Sequence, residues 1–543
     1  MSAILENKSV PLISVLMPTY NPDLGFLKLA IASVLSQTYS HWELCIADDA
    51  STDDSIRGVL ETYRQQDARI KVTYRISNGH ISEASNSALE LVTGEWVALM
   101  DQDDTLAPNA LQEVADAIHS NPESRLIYSD EDKIDESGKC YDPYFKTSWN
   151  KDLFYSHNLI CHLGVYKKKD LDKIHGFRRG FEGAQDHDLA LRVIETIGDE
   201  QIHHIPQVLY HWRAHSRSTA SDLEAKPYAV TAGERAINDH LQRIESSGNC
   251  IHDGEGGYRI RYPIPEAKLA VTAIIFSKGN LKALRKTIDQ IKKVNVDASL
   301  EILVCPQTAR IGNKLKGCSL EEGIAVIQRE EGKSLSSLLN PVAKNSGGDF
   351  LWFLSDSLEG INDGLEELLS HAARPSIGAV GGILLYPGGR VRQAGLLLDA
   401  NRISYPAFHH FPSDGRGYMG RLTLIQNYSA VSLDCMVIEK KKFLEVGGFD
   451  EKHLAYHHLD VDLCLRLKSE GYRTLWTPYA KFTDSSPRFT LNKSMDKFSD
   501  ICRKDTEWMK SRWGHLLSND PAYNPNLNQK KKDFSFKWPL KEE

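Results

Sequence analysis

The chain has 543 residues, which exceeds the size of one ordinary hydrophobic core and predicts two domains. Its composition of 41% hydrophobic and 25% charged residues is typical of a globular protein, and a net charge of -8 argues against a nucleic-acid partner. Nine cysteines without a Cys-x-x-Cys pair indicate buried, reduced thiols and argue against a disulfide framework or a zinc site.

Strands and helices alternate through the first half of the sequence. Apolar runs at Leu12–Met17, Leu44–Ala47 and Val72–Ile76 read as strands, and helical periodicity follows the first of them. Polar turn-formers come directly after the second run, and a further helix is predicted at 83–92. This pattern predicts a doubly wound α/β domain that binds its ligand at the carboxyl ends of the strands.

The next strand ends in carboxylates. Trp96–Met100 is apolar, and Asp101, Asp103 and Asp104 follow it immediately. Carboxylates at a strand end suggest a site for a hard cation, although a helix cap or a solvated turn gives the same pattern. The sequence has neither a Gly-x-Gly-x-x-Gly after its first strand nor a Gly-x-x-x-x-Gly-Lys-Ser/Thr loop, so a bound phosphate must be neutralised in another way.

Three segments together resemble the family 2 glycosyltransferases, which have the GT-A nucleotide-sugar fold. They are Ser14-Val-Leu-Met-Pro-Thr-Tyr-Asn21, Asp48-Asp-Ala-Ser-Thr-Asp53 and Asp101-Gln-Asp-Asp104, and the resemblance covers roughly the first 220 residues. Tyr128-Ser-Asp-Glu-Asp-Lys133 and Asp142-Pro-Tyr-Phe-Lys146 resemble the branch that builds bacterial O-antigen, capsule and rhamnose-rich polysaccharides.

The resemblance implies a donor-binding set in the first half. Asp49 is expected to meet the nucleobase, with Thr19 and Tyr20 lining the same pocket, and Asp101 to face the ribose. A carboxylate accepts the imide N–H of uracil or thymine, so UDP- or dTDP-linked sugars are the expected donors. The alternative for Asp48 and Asp49 is helix capping.

The resemblance also implies a divalent metal ion, Mn²⁺ or Mg²⁺. Asp103 is its expected ligand with Asp104 in support, and His215 is expected to complete the metal shell. Such an ion would stabilise the charge that develops on the leaving nucleoside diphosphate. Arg213 is expected to meet the diphosphate, with surface ion pairing as its alternative.

A second acidic segment, Gly183-Ala-Gln-Asp-His-Asp-Leu189, carries the expected chemistry on the acceptor. By resemblance, Asp186 is the catalytic base that removes a proton from the acceptor hydroxyl, which implies inversion at the anomeric carbon. Gln185, where the family usually has Glu, and Asp188 are candidate acceptor-side residues. The alternative is that Asp186 and Asp188 cap the helix that follows.

The second half repeats the strand pattern and lacks the acids. Its strands are predicted at Leu269–Phe276, Leu300–Val304 and Phe350–Leu354, and Asp460 lies where Asp186 lies in the first half. Aligned strand on strand, the acidic residues fall on other residue types, namely Asp48 and Asp49 on Pro306 and Gln307, and Asp101 to Asp104 on Ser355, Asp356, Ser357 and Leu358. This half is either a non-catalytic, glycan-binding domain or a second transferase that works without metal. The sequence favours the former, because nothing in it replaces the lost phosphate neutralisation.

These observations predict two tandem GT-A domains with a helical and irregular C-terminal tail. The expected boundaries are 1–245 for the catalytic domain, 246–266 for a linker, 267–490 for the degenerate domain and 491–543 for the tail. In the tail, Lys530, Lys531 and Lys532 stand beside Phe534, Phe536 and Trp538, which predicts either contact with an anionic membrane surface or packing in solution.

The leading prediction is an inverting, metal-dependent transferase that moves a sugar from a nucleoside diphosphate to a growing bacterial surface polysaccharide or lipid-linked glycan. The alternatives are a bifunctional polymerase with two active sites and a non-catalytic, glycan-binding scaffold. Met1–Val10 lacks a basic segment followed by an apolar core, and no apolar run reaches the roughly 18 residues of a membrane span. We therefore expect a cytoplasmic protein, with at most peripheral contact to a membrane.

Overall fold

The computed structural model describes residues 10–214, 227–254, 257–265, 269–316, 323–361, 364–485 and 496–537. His215 and Trp538, both singled out by the sequence, lie outside the described residues. Up to Arg261 the strands and helices are β1 (Ile13–Thr19), α1 (Leu24–Leu35), β2 (Trp42–Asp48), α2 (Asp54–Gln66), β3 (Ile70–Tyr74), α3 (His80–Leu89), β4 (Trp96–Leu99), β5 (Thr105–Leu106), α4 (Ala110–Ser120), β6 (Leu126–Ile134), β7 (Cys140–Tyr144), α5 (Lys151–Ser156), β8 (Gly164–Lys167), α6 (Lys168–Lys173), α7 (Gln185–Ile194), β9 (Ile202–Arg213), α8 (Pro227–Arg243), β10 (Asn249–His252) and β11 (Tyr258–Arg261).

The second half of the chain continues the alternation. Its elements are β12 (Leu269–Ser277), α9 (Leu281–Ile291), β13 (Ala298–Pro306), α10 (Ala309–Lys316), β14 (Ile324–Val326), α11 (Leu335–Asn345), β15 (Phe350–Ser355), β16 (Leu358–Glu359), α12 (Gly364–Ala372), β17 (Ile377–Leu385), β18 (Val391–Gln393), β19 (Leu396–Asp399), β20 (Ile403–Pro406), β21 (Gln426–Asn427), β22 (Cys435–Glu439), α13 (Lys440–Glu445), α14 (Leu459–Ser469), β23 (Arg473–Asp484) and α15 (Asp496–Leu517).

Two sheets of the same topology confirm the predicted doubly wound α/β fold and its duplication. The first sheet has the order β3-β2-β1-β4-β8-β6-β9-β5, and the second has β14-β13-β12-β15-β22-β17-β23-β16. Strand β1 runs parallel to β2 and β4, as β12 does to β13 and β15. The carboxyl ends of these three strands therefore meet at one edge of each sheet, which is where ligands bind in open α/β folds.

Contacts divide the chain into two units. The first unit comprises 1–149 and 157–260, and the second comprises 150–156 and 261–543. Strands β10 and β11 pair with each other within the stretch predicted as a linker. Short segment 150–156, which includes α5, was not expected to belong to the second unit.

Each unit has its own hydrophobic core, built from the apolar strand runs and the helices that cover them. In the first unit, Trp42 and Trp96 are buried among β2, β4 and the helices, and Trp352 and Trp476 are buried in the second. Helix α1 begins where the Asp23 carboxylate accepts the N–H groups of Gly25 and Phe26. These elements hold the strand ends that carry the candidate site.

The C-terminal tail packs in part within the second unit, as one of its two predicted alternatives expects. The Phe534 ring stacks on Phe408 with centroids 4.0 Å apart, and Lys532 is only 5% exposed. Lys530, Lys531 and Phe536 are exposed, so contact of the tail with a membrane stays a prediction. Among the described residues, no helix combines the length and the apolar character needed to cross a bilayer.

Candidate active site

The acidic loop after β4 is fixed by the end of β9. The Asp104 carboxylate is buried, and it accepts the N–H of Arg213 at 2.7 Å and the hydroxyl of Tyr210 at 2.6 Å. The same hydroxyl accepts the N–H of Asp101 at 3.1 Å. Burial, and after it the nearby carboxylates of Asp103 and Asp101, raise the pKa of Asp104 well above its usual value. Asp104 therefore supports the loop from inside, whereas the Asp101 side chain remains 43% exposed.

Arg213 also supports this loop, and its expected role at the diphosphate stays a prediction. Its side chain is buried, and its Nε donates to the carbonyl of Asp103 at 2.7 Å. One Nη donates to the carbonyl of Asp135 at 3.2 Å, and the guanidinium lies 4.7 Å from the centroid of the Phe26 ring. The guanidinium thus donates to two backbone carbonyls, and one of these bonds holds the backbone at Asp103.

Residues that are distant in sequence meet at one cavity. Asp101, at the end of β4, and Asp186, in the first turn of α7, both line it together with Gln185. Asp186 accepts the side-chain N–H of Asn158 at 2.7 Å, which fixes its orientation. Asp101, expected on the donor side, and Asp186, the expected base, thus line the same cavity.

His162 lines the same cavity and was missed by the sequence reasoning. Its Nδ1 lies 3.1 Å from the Glu131 carboxylate, and its Nε2 lies 3.8 Å from Asp101. The buried ammonium of Lys146 donates to the carbonyls of Ile160 and His162 at 2.9 and 2.6 Å, and it lies 3.6 Å from Glu131. Glu131 and Lys146 belong to the two segments quoted for the polysaccharide branch, so those segments form a buried polar network behind the cavity.

The charges of this network reinforce one another. Burial alone would raise the pKa of Glu131, but the Lys146 ammonium and the His162 imidazole outweigh it and lower that pKa. Burial likewise opposes the charge on His162, and its contacts with Cys161 and Glu131 raise its pKa well above the usual value. The only sequence signal for His162 was its position just before β8, which does not distinguish it from a structural histidine.

The expected nucleobase end lies at the carboxyl ends of β1 and β2. The buried Asp49 carboxylate accepts the N–H of Gly79 at 2.9 Å and pairs with the Nε of Arg75 at 2.7 Å. Two buried oxygens here, Thr19 Oγ1 and Asp48 Oδ1, have no hydrogen-bond partner among the described residues. Buried polar atoms are normally satisfied, so these two await a ligand or water.

Contacts at this end also involve Asp53 and Tyr20. Asp53 caps α2 by accepting the N–H of Ser55 at 2.9 Å, so the capping alternative does not apply to Asp49. Tyr20 is 43% exposed, and its backbone N–H and carbonyl bond to the Gln102 side chain at 2.8 and 3.3 Å. Gln102 therefore ties the end of β1 to the acidic loop.

Asp188, the other acceptor-side candidate of α7, has structural contacts. It is completely buried, pairs with Arg178, and accepts the Nε of Arg192 at 2.9 Å. Its side chain points into the protein because it neutralises two arginines there. Gln185 lines the cavity, and its side-chain carbonyl accepts the N–H of Gly183 at 2.8 Å.

The acidic loop has the chemistry of a cation site. Oxygen or imidazole atoms of Asp101, Asp104 and His162 lie within 4.8 Å of one another. Asp103 lies outside this group. Burial and, after it, the carboxylates of Asp103 and Asp101 raise the pKa of Asp104, and a divalent cation beside these like charges would relieve their repulsion. Oxygen ligands suit Mg²⁺ or Mn²⁺.

The equivalent loop of the second unit is one residue shorter. The N–H of Asp49 donates to Thr19 and that of Gln307 donates to Ser277, so β1 and β12 can be aligned. In that alignment Leu99 and Phe353 occupy equivalent positions. The first residue of β5 lies six positions after Leu99, whereas the first residue of β16 lies five positions after Phe353. Ser357, and not Leu358 as predicted, therefore takes the place of Asp104.

Asp356 is the counterpart of Gln102 and is not a displaced metal ligand. Its carboxylate accepts the N–H of Lys278 at 2.8 Å, as the Gln102 side chain accepts that of Tyr20. It also accepts the hydroxyl of Ser277 at 2.9 Å. The second unit thus keeps the tie between the strand end and the loop.

Comparison with known proteins finds a family model that matches part of the chain. The profile of "Glycosyl transferase family 2" matches residues 14–175. The chain is 40% identical over 538 residues to uncharacterized protein y4gI of Sinorhizobium fredii, covering 97% of this chain and 59% of that protein. It is 31% identical over 528 residues to O-antigen biosynthesis protein RfbC of Myxococcus xanthus, covering 95% and 40%. The chain thus spans about half the length of these relatives.

Solved structures with the GT-A fold are also similar to this chain. Staphylococcus aureus TarS 1–349 in complex with UDP-GlcNAc is 20% identical, with 42% of this chain and 66% of that chain covered and a TM-score of 0.35. The mannosyltransferase PcManGT of Pyrobaculum calidifontis, in complex with GDP-Man and Mn²⁺, is 19% identical, with 44% and 68% covered and a TM-score of 0.34.

Proposed function

Because residues 14–175 form a family 2 glycosyltransferase domain, we propose that the first unit transfers a sugar from a nucleoside diphosphate to a hydroxyl of a growing bacterial surface polysaccharide. The observation that carries this proposal is the meeting of Asp101 and Asp186 at one cavity. The similarity to an O-antigen biosynthesis protein supports a polysaccharide or lipid-linked glycan as acceptor.

The donor occupies the edge formed by β1, β2 and β4. Asp49 accepts the nucleobase imide, Thr19 and Tyr20 line the base pocket, and Asp101 faces the ribose. The buried Thr19 hydroxyl without a partner supports this placement. A uracil or thymine base fits an acceptor carboxylate, so UDP- or dTDP-sugars are the preferred donors.

A divalent cation is held by Asp103, with His215 as its expected imidazole ligand. When bound, Mn²⁺ or Mg²⁺ supplies positive charge to the diphosphate as the sugar leaves. Arg213 and Tyr210 hold the backbone of the loop that carries Asp103, so the loop would present its carboxylate to a cation from a fixed backbone.

Asp186 removes the proton from the acceptor hydroxyl as its oxygen attacks the anomeric carbon. The base approaches from the face opposite the leaving diphosphate, so the product has inverted configuration. Asn158 orients the carboxylate through its 2.7 Å hydrogen bond, and Gln185 lies beside it toward the acceptor. The second unit has no equivalent set of acids in its loop, so we assign it a non-catalytic role.

Donor specificity can be measured by calorimetry with a panel of UDP-, dTDP- and GDP-sugars, each titrated with Mn²⁺ and again with EDTA. We expect one UDP- or dTDP-sugar to bind at least about tenfold more tightly with Mn²⁺, because the cation neutralises the diphosphate. Equal affinity in EDTA would contradict the metal-dependent site. Preference for GDP-sugars would contradict the role of Asp49.

A further inference from the structure

A cavity of about 240 Å³ opens at the carboxyl edge of the second unit's sheet, and the proposed function leaves it unused. We propose that this cavity is a metal-independent carbohydrate-binding site. The proposal rests on the proposed function only in the expectation that the chain meets a glycan. Its lining includes Lys278, Gln307, Asp434, Tyr456, His457, His458 and Asp460.

The loop that would hold a metal ion has been closed off by internal bonds. The hydroxyls of Ser355 and Ser357 lie 3.0 Å apart, and Ser357 donates to Asp484 at 2.6 Å. The nearby Asp356 carboxylate is occupied by the Ser277 hydroxyl and the Lys278 N–H. The Asp484 carboxylate also pairs with Arg392 at 2.9 Å. Hydroxyls that bond within the loop and two carboxylates that already have partners make a poor site for Mg²⁺ or Mn²⁺.

The charges around the cavity favour an uncharged ligand. The lining contributes the ammonium of Lys278 against the carboxylates of Asp434 and Asp460, and Arg392 is shared between Asp434 at 2.6 Å and Asp484 at 2.9 Å. Carboxylates therefore outnumber the cations that face them, so a diphosphate with two or more negative charges would be under-compensated here without a cation. A neutral sugar has no such requirement.

The polar groups of the cavity match sugar hydroxyls, which both donate and accept. Burial lowers the pKa of His457, and burial followed by the neighbouring His457 lowers the pKa of His458 to about 4. Both imidazoles are therefore neutral near pH 7, and a neutral imidazole offers one donor and one acceptor. Gln307 adds an amide with the same dual capacity, and Tyr456 adds an aromatic side chain to the lining.

Helix α15 fixes the wall of the cavity. The Asp505 carboxylate accepts the N–H groups of Ala455, Tyr456 and His457 at 3.2, 2.9 and 2.9 Å. A ring nitrogen of His458 lies 3.2 Å from the Thr506 hydroxyl. Because the backbone is already held, less conformational entropy is lost when a glycan binds.

Asp460 faces this cavity from the first turn of α14. Its carboxylate accepts the N–H of Leu433 at 3.3 Å and that of Val461 at 2.9 Å. Burial raises its pKa to about 6, so it is mostly ionised at pH 7 and accepts hydroxyl hydrogens there. Asp460 thus offers a carboxylate to the hydroxyls of a bound sugar, at the position that corresponds to Asp186 in the first unit.

The test uses the full chain carrying Asp103→Ala, so that donor turnover in the first unit is blocked. The probe is a printed array of bacterial O-antigen and capsular oligosaccharides, screened in EDTA, with calorimetry on the best binder. We expect binding in EDTA that weakens at least about tenfold in Gln307→Ala and in Asp460→Asn. Asp297→Asn, an exposed change in the same unit, is expected to leave it unchanged.

Thermal melting first verifies that each variant is folded. Absence of any bound glycan, or binding that ignores both Gln307→Ala and Asp460→Asn, overturns the proposal. UDP that binds in EDTA and is lost in Lys278→Ala also overturns it, since the cavity would then be a nucleotide site. Donor turnover that persists in Asp103→Ala rejects the proposed function of the first unit and leaves the glycan result intact.

Discussion

Asp186→Asn is expected to lower kcat for sugar transfer by about 10²- to 10⁴-fold, the usual loss when a general base is removed. The amide keeps the shape and can still bond to Asn158, but it cannot take the acceptor proton. Because Asp186 does not contact the donor phosphates in our proposal, Kd for the nucleotide sugar should remain within about twofold. Steady-state kinetics and donor calorimetry on the same preparation separate these two effects.

The matched control for this change is Asp460→Asn. It makes the same substitution at the equivalent helix position of the second unit, and we expect kcat to stay within about twofold when acceptor is saturating. A loss of kcat in Asp460→Asn with normal turnover in Asp186→Asn would reverse the assignment of the two units.

Asp152→Asn is expected to lower the free energy of unfolding by about 3–5 kcal/mol, because it removes a buried counter-charge from two partly buried arginines. Within the second unit, Asp152 is 3% exposed and pairs with Arg374 at 2.8 Å and Arg473 at 3.1 Å. Asn427 donates a further hydrogen bond to it at 2.8 Å. Urea unfolding at pH 7 measures the effect.

The ion pairs of Asp152 also make the stability of the fold depend on pH. Burial alone would raise the pKa of Asp152, but Arg374 and Arg473 outweigh it and hold the pKa far below its usual value. The stabilisation is therefore complete above the unfolded pKa near 4 and is lost as the pH falls toward the folded pKa. The difference between wild type and Asp152→Asn should shrink below about pH 4.

An exposed ion pair provides the control for the buried one. Asp172, whose side chain is 53% exposed, pairs with Lys168 at 2.8 Å, and Asp172→Asn should cost less than about 1 kcal/mol. Equal destabilisation by the two variants would contradict the importance of burial at Asp152.

The sequence predicts the strands and the duplication of the fold, but it does not by itself predict which residues share the site. Apolar runs bounded by turn residues predict strands such as β1, and β12 repeats that pattern, so the duplication was visible before the structure. Asp101 and Asp186 line one cavity, although 85 positions separate them in the sequence. Spacing alone does not predict this, and only the family resemblance implied it.

Other parts of the site depend on partners that no local pattern reveals. His162 belongs to the polar network because it contacts Glu131, which lies beside Lys146. These residues come from different segments of the sequence, so no local pattern predicts their contact. The sequence predicts Arg213 as a phosphate ligand. Only the structure shows that its Nε donates to the carbonyl of Asp103. The shortened loop of the second unit was hidden as well, since strand pairing, and not residue type, shows that Ser357 replaces Asp104.

Segment 150–156 is a further example. In sequence it lies inside the first half and reads as an ordinary short helix. Its place in the second unit rests on Asp152 and Asn150, whose side chains bond to Arg374, Arg473 and Asn427 more than 200 positions away. Contacts at that sequence separation cannot be read from composition or periodicity.

The central claim is that the metal-dependent chemistry belongs to the acidic loop of the first unit. It is tested most directly by measuring Mn²⁺-dependent turnover of the nucleotide sugar in Asp103→Asn and in Asp356→Asn, which make the same change in the two equivalent loops. We predict a fall of about 100-fold or more in Asp103→Asn and turnover within about twofold of wild type in Asp356→Asn. Undiminished turnover in Asp103→Asn, or a comparable loss in Asp356→Asn alone, would contradict the account.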